Sequence, residues 1–512
     1  MGSKNCNRFS WGDAAFLYLE REGTPLNVAS VFVFEGKLAL QDCIDLVEKK
    51  LPLLPRYQQR VSAPPYNLGL PTWEYSPHFD IHDHIREVKL KSGTEAELKR
   101  VAGAVLSPVM DRRRPLWDLT LLQGLKGGNT GLVARIHHCL ADGIAGIGLM
   151  NVLLDSTPVP SAARDRSRRV SKQPQRDSGA VLLESLAESY SEFLNKLLTT
   201  QAEVLKLAQD VISRNGTQPF GDLAAILPEM TAPAERLPFN KVCRGPQKFA
   251  WTRFPMAGMK AIRERCGGKF NDVVLTIVTS AFRKYAEAQK VKTANRLLRL
   301  VVPVNARGDG DTRELGNRIS FIPVPVPLDI RDPRKLLANV SGRTQLIKST
   351  RIAEFVGLMA TVLGAIPASI QALIGPIASQ LPLSVCNSIC TNVPGPQEPV
   401  FLLGHKMLSW YPYVPIGGEM GINCAIITYN GYAHIGFTGD VYAAPDLERI
   451  EHFANESFAE LCAAAGVTME RTPRRKHATR QRAKTATKDL SRPKVLISES
   501  EESQPIALAA IA

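Results

Sequence analysis

Apolar and polar side chains alternate along DLTLLQGL (118–125) and again along GLVARIHH (131–138), on either side of the turn-forming stretch KGGNT. This pattern predicts a β-hairpin. Just behind it, IAGIGLMNVLLD reads as a buried helix, and DVVLTIVTSAFRKYAEA (272–288) as a second one. Between residues 182 and 211 a helical stripe joins Leu182, Leu186, Tyr190, Phe193, Leu197, Val204, Ala208 and Val211, and Gly216 stops it. That stripe is wide enough to strap two domains together or to lie along a membrane. From Phe355 to Gln397 there is no Asp, Glu, Lys, Arg or His. Gly364, Pro367, Gly375, Pro376 and Pro382 interrupt this run, so it predicts two short apolar helices and not a bilayer span of about 20 continuous apolar residues.

The pattern divides the chain. Residues 1–160 form an N-terminal α/β domain, 161–248 a basic linker with a connecting helix, 249–470 a second domain, and 471–512 a basic tail. With 512 residues, 44% of them hydrophobic, the chain can bury large cores in more than one domain.

The hairpin ends on His137-His138, followed by Asp142-Gly143, in a chain with only nine histidines. The pair stands where a strand gives way to a helix, a place where side chains face a cleft more often than a core. Imidazole is the side chain whose ordinary pKa, about 6.5, suits taking and returning a proton near neutral pH. Neighbouring residues at a strand end point to opposite sides, so one ring can face a cleft while the other packs. Asp142 can orient an imidazole, pair with an arginine or cap the following helix, and Gly143 permits a tight reversal. Spacing alone leaves open a core histidine pair beside a capping aspartate.

Other chemistries lack their signatures. There is no HExxH or CxxC to complete a metal site, and His78, His82 and His84 match no standard zinc spacing. Neither G-x-S-x-G nor a phosphate-binding glycine loop is present, and GIAGIG has the wrong spacing. What remains is base catalysis by histidine without a built-in nucleophile, which fits direct transfer of a group from an activated donor to a hydroxyl, amine or thiol. Cys139, beside the pair, reads as a small apolar filler.

HHCLADG (137–143) resembles the HHxxxDG signature of the CoA-dependent acyltransferase superfamily, which includes chloramphenicol acetyltransferase and peptide-synthetase condensation domains. One branch, the bacterial wax ester synthase/diacylglycerol acyltransferases, is similar over about residues 13–465. The similar segments come in order: DAAFLYLEREGTPLNVASVFVFEG, Pro115-Leu116-Trp117, Asn271-Asp272, the stretch with Arg307, Gly316 and Asn317, TNVPGP from Asn392 to Pro396, and YNGYAHIGFTGD. The resemblance implies two chloramphenicol-acetyltransferase-like α/β domains, mixed sheets with helices, and an active-site tunnel between them. It implies that His138 is the general base, supported by His137 and Asp142. The substrates implied are a fatty acyl-CoA and either diacylglycerol or a long-chain alcohol. Gly143, Asn271, Arg307, Asn317 and Asn392 are the expected substrate-binding residues, with no metal and no cofactor beyond acyl-CoA as co-substrate. From the residues themselves, Asn271-Asp272 can also simply cap a helix, and Trp117 can be core packing at a strand start.

Charge refines the picture of partners. The net +14 is uneven: residues 164–177 hold six basic and two acidic side chains, and 471–512 hold ten and four, so these two stretches carry +4 and +6. Both read as solvated segments. The tail lacks interleaved aromatics, so no nucleic-acid partner is expected, and attraction to anionic lipid is the more natural use. Nine scattered cysteines and an N-terminus without an apolar signal region predict a reducing cytoplasm. MGSKNC resembles a myristoylation start, but Cys6 replaces the required Ser or Thr. Together these features predict a cytoplasmic protein associated peripherally with membrane or lipid droplets.

Overall fold

The computed structural model describes residues 7–140, 148–159, 228–229, 234–305, 319–349, 366, 368–378 and 386–468. Residues 1–467 belong to one compact unit. Asp142, Gly143, Arg307, Asn317, the predicted connecting helix, the basic stretch 164–177 and the tail lie outside the described residues.

The first half contributes α1 (Trp11–Leu19), β1 (Asn27–Phe34), α2 (Leu40–Lys50), β2 (Gln59–Ser62), β3 (Thr72–Tyr75), β4 (Ile85–Lys89), α3 (Glu95–Leu106), β5 (Trp117–Gln123), β6 (Thr130–His137) and α4 (Gly148–Leu153). The second half contributes β7 (Gln247–Pro255), α5 (Met256–Cys266), α6 (Phe270–Ala288), β8 (Leu297–Asn305), β9 (Ile319–Pro327), α7 (Pro333–Ser349) and α8 (Ala368–Ala378). It continues with β10 (Ser388–Val393), β11 (Phe401–Leu402), β12 (His405–Tyr413), β13 (Ile422–Tyr429), β14 (Tyr432–Asp440) and α9 (Glu448–Ala464).

Two six-stranded mixed sheets form the scaffold. Their strand orders are β11-β12-β1-β6-β5-β4 and β7-β14-β13-β10-β8-β9. In the first sheet only β4 and β5 run parallel, and in the second β10 runs parallel to both β13 and β8. β12 comes from the second half of the chain yet pairs with β1, matching Ala29 to Tyr413 and Val31 to Tyr411. The sheets meet at Gly436 on β14, where a methyl group would stand 2.0 Å from the carbonyl oxygen of Pro412. Only a residue without Cβ allows that approach.

The hairpin predicted from alternation exists as β5 and β6, with Leu119 opposite Ala134 and Leu121 opposite Leu132. Its polar positions are not solvated, because both faces are covered and every residue of either strand is buried. The polar face therefore pairs internally: Arg135 grips Asp118 with Nε at 3.3 Å from Oδ1 and Nη2 at 2.5 Å from Oδ2. On the opposite face, Trp117, Leu119, Leu121, Leu132, Ala134 and Ile136 join the main apolar core with Phe32, Phe34 and Trp410. Ile427 and Tyr429 of the second sheet belong to the same core, so the two halves share packing. The predicted helix behind the histidines is α4 in its described part, with Leu149, Met150 and Leu153 buried.

Candidate active site

β6 ends at His137, whose amide donates to the Leu116 carbonyl at 2.9 Å. The amide of His138 donates to the Leu26 carbonyl at 2.9 Å, so β1 holds the chain one residue beyond the strand. The two side chains diverge, as strand geometry requires.

His137 is fully buried. The Cys139 amide donates to its Nδ1 at 3.1 Å, and the Cys139 thiol lies 2.9 Å from the same nitrogen. A nitrogen that accepts a backbone N–H carries no proton, so the neutral ring bears its hydrogen on Nε2. That nitrogen faces Glu20 Oε1 at 3.3 Å, an ion-pair distance whose angle falls short of a well-aligned hydrogen bond. Glu20, one residue past α1, is the hub of this side. Its Oε1 accepts from the Leu26 amide at 3.0 Å and its Oε2 from Arg112 Nη2 at 3.0 Å, while Arg112 also donates to the Leu17 carbonyl at 2.6 Å. Burial pushes the Glu20 carboxyl up, but His137, the Leu26 amide and Arg112 outweigh it and hold the pKa below its ordinary value. The carboxylate is ionised and fixes His137 from α1.

His138 meets different surroundings. The Phe16 ring of α1 lies flat against its imidazole, with centroids 3.7 Å apart and planes inclined by 14°. Neither ring nitrogen bonds another residue among the described residues; the polar group Nδ1 feels is the main-chain carbonyl of His138 itself. Burial disfavours the imidazolium and lowers the pKa to about 4, with the charge of His137 adding to the decrease and the residue's own carbonyl opposing it. His138 is therefore a neutral imidazole throughout the physiological range. Burial also drives the Cys139 thiol well above its ordinary pKa, so it is not a thiolate nucleophile, in keeping with its reading as an apolar filler.

A second grouping forms in the other sheet. Asn271 sits at the start of α6 and Asn392 on β10, and the Asn392 side-chain amide donates to Asn271 Oδ1. The two motifs, 121 residues apart, thus meet. The Asn392 side-chain carbonyl oxygen is buried and has no hydrogen-bond partner among the described residues. Asp272 does what its position suggested: Oδ2 accepts the Lys269 amide at 2.7 Å at the helix start. Its Oδ1 also accepts from the Thr344 hydroxyl at 2.8 Å and ties α6 to α7. Trp117 is core, donating its indole N–H to the Tyr57 carbonyl at 2.7 Å. His84 is buried and stacked on Trp117 with centroids 4.5 Å apart, while His82 is exposed beside Asp80. Among the described residues, no group of three or more His, Cys, Asp or Glu could hold a metal ion.

Two mixed sheets with the HHxxxDG segment at a strand end define the chloramphenicol-acetyltransferase-like class of acyltransferases. Comparisons with known proteins narrow this to one branch. The family model of the wax ester synthase/diacylglycerol acyltransferase catalytic domain matches residues 9–274, and that of the family's C-terminal domain matches residues 315–462. The chain belongs to this family of acyltransferases. A Mycobacterium tuberculosis protein named as a diacylglycerol O-acyltransferase, tgs1, is 24% identical over 461 residues, covering 89% of this chain and 96% of its own. A solved wax ester synthase/diacylglycerol acyltransferase from Marinobacter aquaeolei VT8 superposes with a TM-score of 0.61 at 22% identity, over 90% of this chain and all of that one. The first condensation domain of the CDA synthetase shares the fold with a TM-score of 0.54 at 15% identity, over 90% of this chain and 98% of that one.

Proposed function

We propose that this acyltransferase moves a fatty acyl group from acyl-CoA to the hydroxyl of diacylglycerol, of a long-chain alcohol, or of both, with His138 as general base. The observation that carries the reading is the difference between the two imidazoles: the Cys139 amide donates to one nitrogen of His137 and Glu20 faces the other, while His138 stays neutral and, among the described residues, without a polar partner from another residue. With the proton on Nδ1 facing the residue's own carbonyl, the Nε2 lone pair is the basic site. It takes the proton from the acceptor hydroxyl as the oxygen attacks the thioester carbonyl. The carbon–sulfur bond then breaks, and the imidazolium returns the proton to the departing CoA thiolate, so one ring serves as base and then as acid. Acyl-CoA is a co-substrate, and the scheme requires no resident cofactor. His137 supports the geometry around the base, Asp142 takes the same role by resemblance, and Gly143 is by resemblance a substrate-binding residue. Asn271 and Asn392, joined by their hydrogen bond, offer amide groups to a substrate; by resemblance the Arg307 guanidinium and the Asn317 amide bind it as well.

The protein works at a lipid surface, where both substrates partition. Helix α8 supports this reading: it has no charged residue, and Ile370, Leu373, Ile374 and Ile377 form an exposed stripe along it. Leu373 is 72% exposed. The opposite side packs on α1, where a Cβ on Gly375 would stand 2.8 Å from the Tyr18 carbonyl. No helix among the described residues is long and apolar enough to cross a membrane, so attachment through α8 would be peripheral.

CoA release from palmitoyl-CoA, measured with diolein, hexadecanol, a monoacylglycerol or no acceptor, tests the reaction. The expected result is acceptor-dependent release that His138→Ala lowers by about 10²- to 10⁴-fold. Equal release by the wild type and the variant would remove His138 from the chemistry. Lipid binding by both without any release would make the chain a lipid-surface coat. Leu373→Asp should weaken flotation with phosphatidylcholine vesicles and change unfolding stability by no more than about 0.5 kcal/mol. Unaltered flotation would clear α8 of that role.

A further inference from the structure

We propose that Phe16 is a positioning residue for the reaction, its flat ring fixing the plane of the His138 imidazole and closing one of the imidazole's two faces. The inference rests on His138 being the base.

Catalytic histidines need an orienting partner, because a freely turning ring seldom points its lone pair at the proton to be moved. The familiar partner is a carboxylate on the second nitrogen. Here that carboxylate, Glu20, belongs to the neighbouring ring: it faces Nε2 of His137 at 3.3 Å. His138 has main-chain anchorage through its amide to Leu26 and its own carbonyl near Nδ1, but neither holds the ring against rotation on its other torsion. The stack does. At 3.7 Å and 14°, the two rings lie face to face in van der Waals contact, so turning the imidazole about its Cβ–Cγ bond would drive its edge into Phe16.

Phe16 is well placed to act as a fixed wall. It lies in mid-helix in α1, whose start is capped by Ser10, which accepts the Asp13 amide at 3.1 Å. The other end is pinned by Arg112 on the Leu17 carbonyl and by the Glu20 network. Trp11, Ala14, Leu17 and Tyr18 bury the far side of the helix in the main core. One helix thus serves both histidines, Glu20 holding His137 by charge and Phe16 holding His138 by shape. The stack also keeps water from one face of the base, which favours the neutral ring. Among the described residues, the charged group that acts on His138 is His137, and those that act on the adjacent Cys139 are Asp13 of α1, Glu20 just past it and Arg112 before β5.

Three variants test this: Phe16→Leu keeps apolar volume without a flat face, Phe16→Tyr keeps the face, and His138→Ala assigns the resonance. Turnover of palmitoyl-CoA with the preferred acceptor is read beside the titration of His138 by NMR of histidine labelled with ¹³C at Cε1. For Phe16→Leu we expect kcat to fall about tenfold with KM for palmitoyl-CoA within about twofold. The ring pKa should rise by a unit or more from about 4 toward the ordinary histidine value. Phe16→Tyr should restore both. Full kcat and an unmoved titration in Phe16→Leu would overturn the proposal, as would equal losses in Leu and Tyr variants with a common drop in melting temperature. If His138→Ala turned over normally the base assignment would fail separately, and the NMR titration would still report whether Phe16 governs the ring.

Discussion

The two sides of the β6 terminus solve opposite problems with adjacent residues of the same type. On the His137 side the Cys139 amide donates to Nδ1 and Glu20, held by Arg112, faces Nε2, so the ring meets a polar group at each nitrogen. On the His138 side an aromatic face replaces ionic partners, and burial keeps the ring neutral. A histidine whose nitrogens are both engaged cannot accept a substrate proton without losing a partner. One held by ring contact can, since stacking leaves its lone pair free. If His138 is the base, as proposed above, the pair HH combines one locked and one working imidazole.

Removing the hub should damage the locked side most. Glu20→Ala leaves the buried His137 ring and the Leu26 amide without their carboxylate, frees the half-exposed Arg112, and should cost about 1–3 kcal/mol in chemical denaturation. Turnover should fall with it at temperatures where the variant is still folded. A variant as stable as wild type would show that the network is incidental.

Acid should separate the sides next. The Glu20 pKa is lowered by folding, so its contribution is complete above the ordinary value of 4.5 and disappears as pH falls through the folded value. His138 also has a lowered pKa, so the unfolded chain binds the extra proton first. Its term therefore weakens the fold progressively between pH 6.5 and about 4. Denaturation midpoints should decline from pH 6.5 downward in wild type and less steeply in His138→Ala. Parallel curves would contradict the buried neutral ring.

The sequence made local features legible and long-range ones only partly so. Alternation located β5 and β6, the helical period located α6, and Asp272 was readable as a cap because capping involves residues three apart. The divergence of the two histidines also followed from strand geometry alone. Assigning separate roles to them needed more, namely the resemblance of HHCLADG to a known motif. Glu20, Arg112 and Phe16 escaped notice: Glu20 and Arg112 meet across 92 residues, and Phe16 and Glu20 sit in an apolar stretch that reads simply as core. The local hint was Glu20 closing the apolar run FLYL, ahead of Arg21 and Glu22. β12 crossing into the first sheet was equally hidden, because its pairing to β1 depends on nothing nearby in the chain. That the hairpin's polar face is buried was not legible either, since Asp118 and Arg135 satisfy each other across two strands.

Turnover and thermal stability of His137→Ala and His138→Ala, measured side by side with palmitoyl-CoA and an acceptor alcohol, test the division most directly. His138→Ala should abolish most CoA release while melting close to wild type, and His137→Ala should melt lower and keep a larger share of the activity. A His138 variant that turns over normally, or a His137 variant that loses activity more completely at unchanged stability, would contradict it.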